Sequence, residues 1–460
     1  MKLKSLVFLL IIKVIFTQPP EDKIELPNYP YTKNTYGGYL EVTANKSLFY
    51  IYHEADQNSE SLPLLLWLNG GPLCSSLGGW GDEIGPCYLE NGQFVLNDYS
   101  WNKLANLFFI ESPAGTGFSY INSTNKSDFY FNDDLVAQEN LIALQSFFKK
   151  FPNLKNKDFY ISGESYAGIY IPMLALEILN YNKNVSDDEK INLKGILIGN
   201  GVADWNYDNY PAIVDFLFSH HFYSYETRME LLQCLSKEKN KTKCKQDIYN
   251  YFEKIYNKLN IYDILQDCYT GEQNQTSLYS NYAKWAFSFK QSQSKPEKNE
   301  EPTQEETSAP CLDSHYLEEY LNKEEVQEAL HIINKTKWNQ CGNKLIKYVT
   351  QEKGSIYAYP YLLDKIRILI YSGDTDMAVP FNGNQAWIRN LKLPIISDWK
   401  PWRAYDLNGT VDMENIAGYR TIYQGLIFTT IKGTGHMVPQ WKRKEAFHMV
   451  KQFLKDEDFN

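Results

Sequence analysis

The chain has 460 residues, 43% hydrophobic and 22% charged, with a formal net charge of −10 from 46 Lys and Arg against 56 Asp and Glu. That length and apolar content support a large core, built as one big domain with an insertion or as two domains. The acidic balance argues against nucleic acid and anionic membrane surfaces as partners.

The first segment, residues 1–18, has Lys2 and Lys4 followed by the apolar run Leu6 to Ile12, the pattern of a secretory signal peptide. The run is too short to span a bilayer, so no membrane span is expected after its removal. Short apolar runs with turn punctuation follow at Phe49 to His53, Leu64 to Leu68, Leu107 to Ile110, Phe159 to Ser162, Gly195 to Ile198, Ile366 to Tyr371 and Leu426 to Ile431. Helical patterns lie between several of them, at Asp134 to Lys150 and Asn322 to Ile333. Alternating strands and helices predict an α/β fold with a mostly parallel sheet covered on both faces.

From about Asp204 the strand rhythm stops, and Lys-, Glu- and Tyr-rich helical patterns run on. The expected organisation is therefore a core in two parts, 19–203 and 313–460, around an inserted helical cap, 204–312. Inside the cap, residues 291–310 are Ser, Lys, Glu and Pro with almost nothing apolar, which predicts a disordered linker. Seven cysteines fit an oxidising compartment with three bridges and one leftover thiol. Sequons start at Asn45, Asn122, Asn125, Asn184, Asn240, Asn274, Asn334 and Asn408 and add modest support for secretion. Neither Cys-x-x-Cys nor His-Glu-x-x-His occurs, so no metal or other cofactor is expected.

The chemistry centres on Gly163-Glu164-Ser165-Tyr166-Ala167-Gly168, which follows the apolar run Phe159-Tyr160-Ile161. A strand that ends in Gly-x-Ser-x-small and turns straight into a helix is a nucleophile elbow. Acyl transfer on such a scaffold needs an acid and then a histidine later in the chain. Asp374 and Asp376 follow the strand run Ile366 to Tyr371, and His436 follows Leu426 to Ile431. Either aspartate could orient the base. His331 lies in an amphipathic pattern that predicts packing, and His53, His220, His221, His315 and His448 have no comparable setting. Paired glycines after the strand run Leu64 to Leu68, with the N–H of Tyr166 just past the serine, suit an oxyanion hole.

These strings together resemble the serine carboxypeptidases, the family of yeast carboxypeptidase Y, the plant serine carboxypeptidases and lysosomal cathepsin A. The matches are Trp67-Leu68-Asn69-Gly70-Gly71-Pro72 with Cys74-Ser75-Ser76, Glu83-Ile84-Gly85-Pro86, Glu111-Ser112-Pro113-Ala114-Gly115, the Ser165 string, Gly199-Asn200-Gly201, Gly373-Asp374-Thr375-Asp376 and Gly435-His436-Met437-Val438-Pro439. The resemblance implies an α/β-hydrolase fold and release of C-terminal amino acids through an acyl-enzyme on Ser165, in an acidic, lysosome- or vacuole-like or extracellular setting. It implies Asp376 as the acid, His436 as the base, Gly71 and Tyr166 as oxyanion donors, and Asn69, Gly70, Glu83 and Glu164 as the reader of the substrate carboxylate. It also implies bridges Cys74–Cys341, Cys234–Cys244 and Cys268–Cys311, which leaves Cys87 as the free thiol. Leu73 departs from the glycine usual in the family, beside the oxyanion loop, and Thr116 from an apolar residue. Peptides are the expected partners, and a homodimer is left open. The rival expectations are an acyltransferase or esterase on the same scaffold, or a catalytically silent protective protein.

Overall fold

The computed structural model describes residues 19–208, 210–236, 244, 248, 259–268, 311, 314–333 and 335–457. The signal segment 1–18, the linker 291–310 and the sequons at Asn240, Asn274 and Asn334 lie outside the described residues. The sequon residues Asn45, Asn122, Asn125, Asn184 and Asn408 are all exposed.

Ten strands build the central sheet: β1 Thr35–Thr43, β2 Lys46–His53, β3 Leu64–Leu68, β4 Asn106–Ile110, β5 Phe159–Glu164, β6 Leu193–Gly199, β7 Arg367–Gly373, β8 Ile395–Trp402, β9 Gly418–Tyr423 and β10 Leu426–Ile431. Their order is β1-β2-β4-β3-β5-β6-β7-β10-β9-β8, and a two-residue strand, Tyr120–Ile121, pairs with β2 off this path. From β4 to β10 the pairs are parallel, while β1, β2, β8 and β9 pair antiparallel at the two edges. Each strand run expected from sequence falls in the parallel centre or on β2. Such strands are buried on both faces and so show as continuous apolar runs.

The packing divides by parity. Leu64, Leu66, Phe108, Ile110, Ile161, Ile196 and Ile198 join one apolar cluster, and Leu65, Trp67, Leu107, Phe109, Tyr160 and Leu197 the other. Alternate side chains leave opposite faces of a strand, so the sheet carries a core on each side. Helices α1 Asp133–Lys150, α2 Ala167–Lys183 and α7 Phe381–Asn390 cover the first face. Short helices α5 His315–Leu321 and α6 Glu324–Ala329, with the long α8 Arg443–Lys455, cover the second. Asn132 caps α1 by accepting from the Leu135 N–H at 2.8 Å, and Lys149 and Lys150 close its last turn.

Between β6 and α5 the described elements are helices α3 Tyr210–Ser219 and α4 Tyr225–Ser236. A third apolar cluster joins Ile213, Val214, Phe216 and Leu217 of α3 to Ile261, Tyr262, Met377 and Met437. The two methionines neighbour Asp376 and His436, so this helical layer packs directly on the candidate catalytic loops.

One sequence expectation is corrected. Asn322 to Ile333 is not a single helix: α5 ends at Leu321, α6 runs only to Ala329, and His331 sits exposed in a turn at φ 57°. The apolar positions are met by Val326 in α6, by Leu330 just past its end, both buried, and by Ile332 packed against the same core. The edge strand β8 was invisible for a related reason. Strand β8 is exposed along nearly its whole length, so it lacks an apolar signature.

Three disulfides join Cys74–Cys341, Cys234–Cys244 and Cys268–Cys311, and Cys87 is a buried free thiol. Among the described residues, no helix is long and apolar enough to cross a membrane.

Candidate active site

All five site-bearing loops leave the same edge of the sheet, because β3, β5, β6, β7 and β10 run parallel and each ends there. Open α/β sheets collect ligands at that edge.

Strand β5 stops at Glu164, Ser165 adopts φ 63°, and α2 begins at Ala167. The left-handed backbone is costly for serine and is held by its surroundings. The Ser165 N–H donates to the Gly199 carbonyl at 3.0 Å, and the Ser165 carbonyl accepts from Gly168 at 3.0 Å and Val202 at 3.1 Å. No side chain fits at Gly163, where a Cβ would lie 2.0 Å from the Leu68 carbonyl oxygen. The elbow therefore raises Ser165 at the N-terminus of a 17-residue helix, where negative charge is favoured.

The two aspartates differ in their contacts. Asp376 Oδ2 lies 2.7 Å from His436 Nδ1, and both side chains are buried. The same carboxylate accepts from Asn200 Nδ2 at 2.7 Å and from the N–H groups of Ala378 at 2.8 Å and Val379 at 3.2 Å. Asp374 instead accepts from the Gly433 N–H at 2.7 Å, bracing one loop against the other. With Nδ1 engaged by a carboxylate, His436 presents Nε2 as its free ring nitrogen.

Next to the elbow lies a pair of carboxyls. Glu164 Oε1 accepts from Asn69 Nδ2 at 3.2 Å, and Glu83 hydrogen-bonds to Glu164. Burial holds both carboxyls well above the usual glutamate range, and the Glu83 charge raises Glu164 further. Two touching carboxylates cannot both ionise cheaply, so the pair keeps a proton. Asn69 is oriented in turn: its Oδ1 accepts from Trp67 Nε1 at 2.7 Å and from the Gly79 N–H at 3.1 Å.

The loop Gly70-Gly71 passes against the elbow. A Cβ on Gly70 would lie 2.4 Å from the Tyr166 backbone nitrogen and 2.7 Å from Ser165 Cβ, so only glycine lets the two segments meet. Leu73 adopts φ 72°, the conformation for which glycine is suited, and its carbonyl accepts from the Gly342 N–H at 2.8 Å. The Cys74–Cys341 bridge and a Ser75 N–H bond to the Gln340 carbonyl at 2.8 Å stitch the same two segments. These bonds hold the loop with Leu73 in that conformation. Beneath it, the buried Glu111 accepts from Ser75 Oγ, from Trp338 Nε1 at 2.7 Å and from the Phe118 N–H at 2.7 Å.

Burial pushes Glu111 up to about 7, and likewise Asp208, which accepts from the Ala203 and Asp204 N–H groups. An acid whose pKa is raised by folding adds stability below its unfolded pKa and loses it as pH rises through the folded value. Burial lowers His53 to about 3 and His448 to about 4, so both are neutral, folded or not, well above pH 6.5. The melting temperature should therefore fall between about pH 6.5 and pH 8.5 at fixed ionic strength. Calorimetry showing a flat or rising midpoint over that range would mean these carboxyls ionise in place without cost.

Residues to which the sequence reading gave no role also line the site. Asn200, with φ 39°, bridges strand ends: it donates to Asp376 and accepts from the Gly373 N–H at 2.9 Å. Its only sequence signal is an Asn between glycines at the end of β6. Segment 259–268 crosses both catalytic loops, where the Tyr262 carbonyl accepts from the His436 N–H at 2.7 Å and the Ile261 carbonyl from Met377 at 2.9 Å. Asp263 Oδ1 accepts from Thr375 Oγ1 at 2.7 Å, and the Tyr262 ring lies 5.2 Å from that of His436. Nothing in the sequence of that segment marks it as part of the site.

Comparison with known proteins follows the same lines. The family model described as serine carboxypeptidase matches residues 27–456. The chain is 35% identical to serine carboxypeptidase-like 34 of Arabidopsis thaliana over 463 residues, covering 96% of this chain and 90% of that one. It is 34% identical over 491 residues to a serine carboxypeptidase of Caenorhabditis elegans, covering 100% and 99%. A prohormone-processing carboxypeptidase from Saccharomyces cerevisiae superposes with a TM-score of 0.74 at 24% identity, over 95% of each chain, and shares the α/β-hydrolase fold.

Proposed function

Because the chain belongs to the serine carboxypeptidase family and is a hydrolase of that type, we propose that it removes C-terminal amino acids from peptides through an acyl-enzyme on Ser165. The observation that carries this reading is the juxtaposition of two assemblies at one sheet edge. One is the His436–Asp376 pair at 2.7 Å, and the other is the Asn69–Glu164–Glu83 group beside the elbow.

In this reading His436 Nε2 takes the Ser165 proton as Oγ attacks the scissile carbonyl. The N–H groups of Gly71 and Tyr166 receive the developing oxyanion. The protonated imidazole then gives its proton to the departing amine, and the C–N bond breaks. Water, deprotonated by His436, attacks the acyl-enzyme and frees Ser165. Asn69, the Gly70 N–H and the protonated member of the carboxyl pair hold the terminal carboxylate of the substrate. That grip selects a free C-terminus over an internal peptide bond. Disulfides and raised buried carboxyls suit an acidic compartment of the secretory pathway.

The test compares peptides that have a free C-terminus with esters whose C-terminus is blocked. A free carboxylate needs the proton on the pair, so the affinity for peptides should weaken as pH rises through the raised value, while blocked esters keep their rate. Asn69→Ala should cost peptide cleavage about 1.5–3 kcal/mol in transition-state binding, the worth of a charged hydrogen bond. Equal losses on both substrates would remove the carboxylate reading and favour an esterase or acyltransferase.

A further inference from the structure

Glu83 stands at the end of a π-helical turn, Gly79–Glu83, closed by an Ile84 N–H bond to the Gly79 carbonyl at 2.9 Å. Such wide turns leave carbonyls poorly satisfied and recur where a side chain must be aimed. Here a guanidinium from another element takes them. Arg443, the first residue of α8, donates from Nη1 to the Glu83 carbonyl at 2.7 Å and from Nη2 to the Asp82 carbonyl at 2.9 Å. Its guanidinium carbon lies 3.9 Å from the centroid of the Tyr88 ring, which fixes the plane of the fork. Helix α8 begins seven residues after His436, so one side chain ties the chain that follows the base to the turn that presents Glu83.

We propose that Arg443 is a positioning residue for recognition of the substrate carboxylate: its fork holds the Asp82–Glu83 end of the turn so that Glu83 meets Glu164 and the pair faces Asn69. The proposal rests on the reading that this pair grips the free C-terminus. Asn97 Nδ2 also donates to the Glu83 carbonyl, at the longer distance of 3.2 Å. Losing the fork would leave the Glu83 carbonyl to the Asn97 amide, while the start of the turn stays held by the Gly79 N–H bond to Asn69 and the Trp80 Nε1 bond to His53.

Arg443 also brings charge. The charged and titratable groups facing Glu83 are Glu164 from the elbow, Asp82 from its own turn and Arg443 from α8. Asp376 faces Glu164 in turn, and the buried phenols of Tyr371 and Tyr262 feel one or both carboxyls. Arg443 is the positive member of that set, and its charge favours the ionised pair. The pair must hold a proton to donate to a carboxylate, so this charge sets how far up in pH peptide binding persists.

Two variants separate the effects. In Arg443→Met, KM for an end-blocked dipeptide with a free C-terminus should rise by roughly tenfold, the cost of a loosened charged contact. The alkaline limb of its kcat/KM profile should move up by about half a pH unit, a roughly threefold change in the proton affinity of the pair. Arg443→Lys keeps the charge and loses the fork, so KM should rise while the limb stays in place. In both variants, hydrolysis of a blocked ester and fluorophosphonate labelling should change by less than about twofold, which also reports that the protein is folded. An unchanged KM, equal losses on the two substrates, or an unmoved limb in Arg443→Met overturns the proposal. Asn69→Ala run alongside distinguishes the two failures. If Asn69→Ala also loses both substrates equally, the carboxylate reading itself has failed; if it is selective and Arg443→Met is not, only the role of Arg443 has.

Discussion

Replacing Ser165 with alanine is expected to lower turnover by on the order of 10⁶-fold on free and blocked substrates alike, and to abolish labelling by a fluorophosphonate. The size follows from what the elbow is built to do. The strand, the tight φ of 63° and the start of α2 serve to lift one hydroxyl over the sheet edge, and the protein holds that backbone with bonds to Gly199, Gly168 and Val202. Alanine keeps all three backbone bonds and the same left-handed conformation, so the fold should be untouched. A melting midpoint within about a degree of the parent would confirm that, since deletion of one partly exposed hydroxyl is worth little. A Ser165→Ala protein that still takes up the probe would place the nucleophile at another serine.

How much of this was readable without coordinates depends on where a signal could come from. The elbow was legible because three demands fall on adjacent residues: a buried strand, no side chain at Gly163 and a helix start. The parallel centre was legible because burial on both faces writes continuous apolar runs such as Leu64 to Leu68. The edge strand β8 was not, since a strand exposed along its length carries no such pattern. Spacing on the chain could place an aspartate and a histidine after the right strands but could not choose between Asp374 and Asp376, two residues apart in one turn. The loop geometry separates them, with Asp376 against His436 Nδ1 and Asp374 turned to the Gly433 N–H. Arg443 and, at Ile261 and Tyr262, segment 259–268 make bonds through main-chain carbonyls, and a bond made to or by a carbonyl leaves no residue type behind to be recognised.

The second large effect concerns Asp376, where two substitutions should differ in a way that the hydrogen bonds dictate. Removing the side chain in Asp376→Ala leaves His436 Nδ1 without its carboxylate and takes from Asn200 Nδ2 its 2.7 Å hydrogen bond, and should lower kcat by on the order of 10⁴-fold. Asparagine is the more informative change, because an amide has one acceptor end and one donor end. Three donors meet Oδ2, namely His436 Nδ1, Asn200 Nδ2 and the Val379 N–H, whereas Oδ1 meets only the Ala378 N–H. The amide oxygen should therefore take the Oδ2 position, leaving one donor facing another at Ala378 in place of three. His436 then keeps its proton on Nδ1 and its lone pair on Nε2, the tautomer a general base requires. What is lost is the negative charge that stabilises the imidazolium as it forms. Loss of that charge without loss of the tautomer should cost roughly 10²–10³-fold, clearly less than the alanine change. Steady-state kinetics on a blocked ester, which does not involve the carboxyl pair, would measure both. If Asp376→Asn proves as damaging as Asp376→Ala, the amide has turned its nitrogen toward His436, and the three-donor arrangement around Oδ2 does not govern the tautomer.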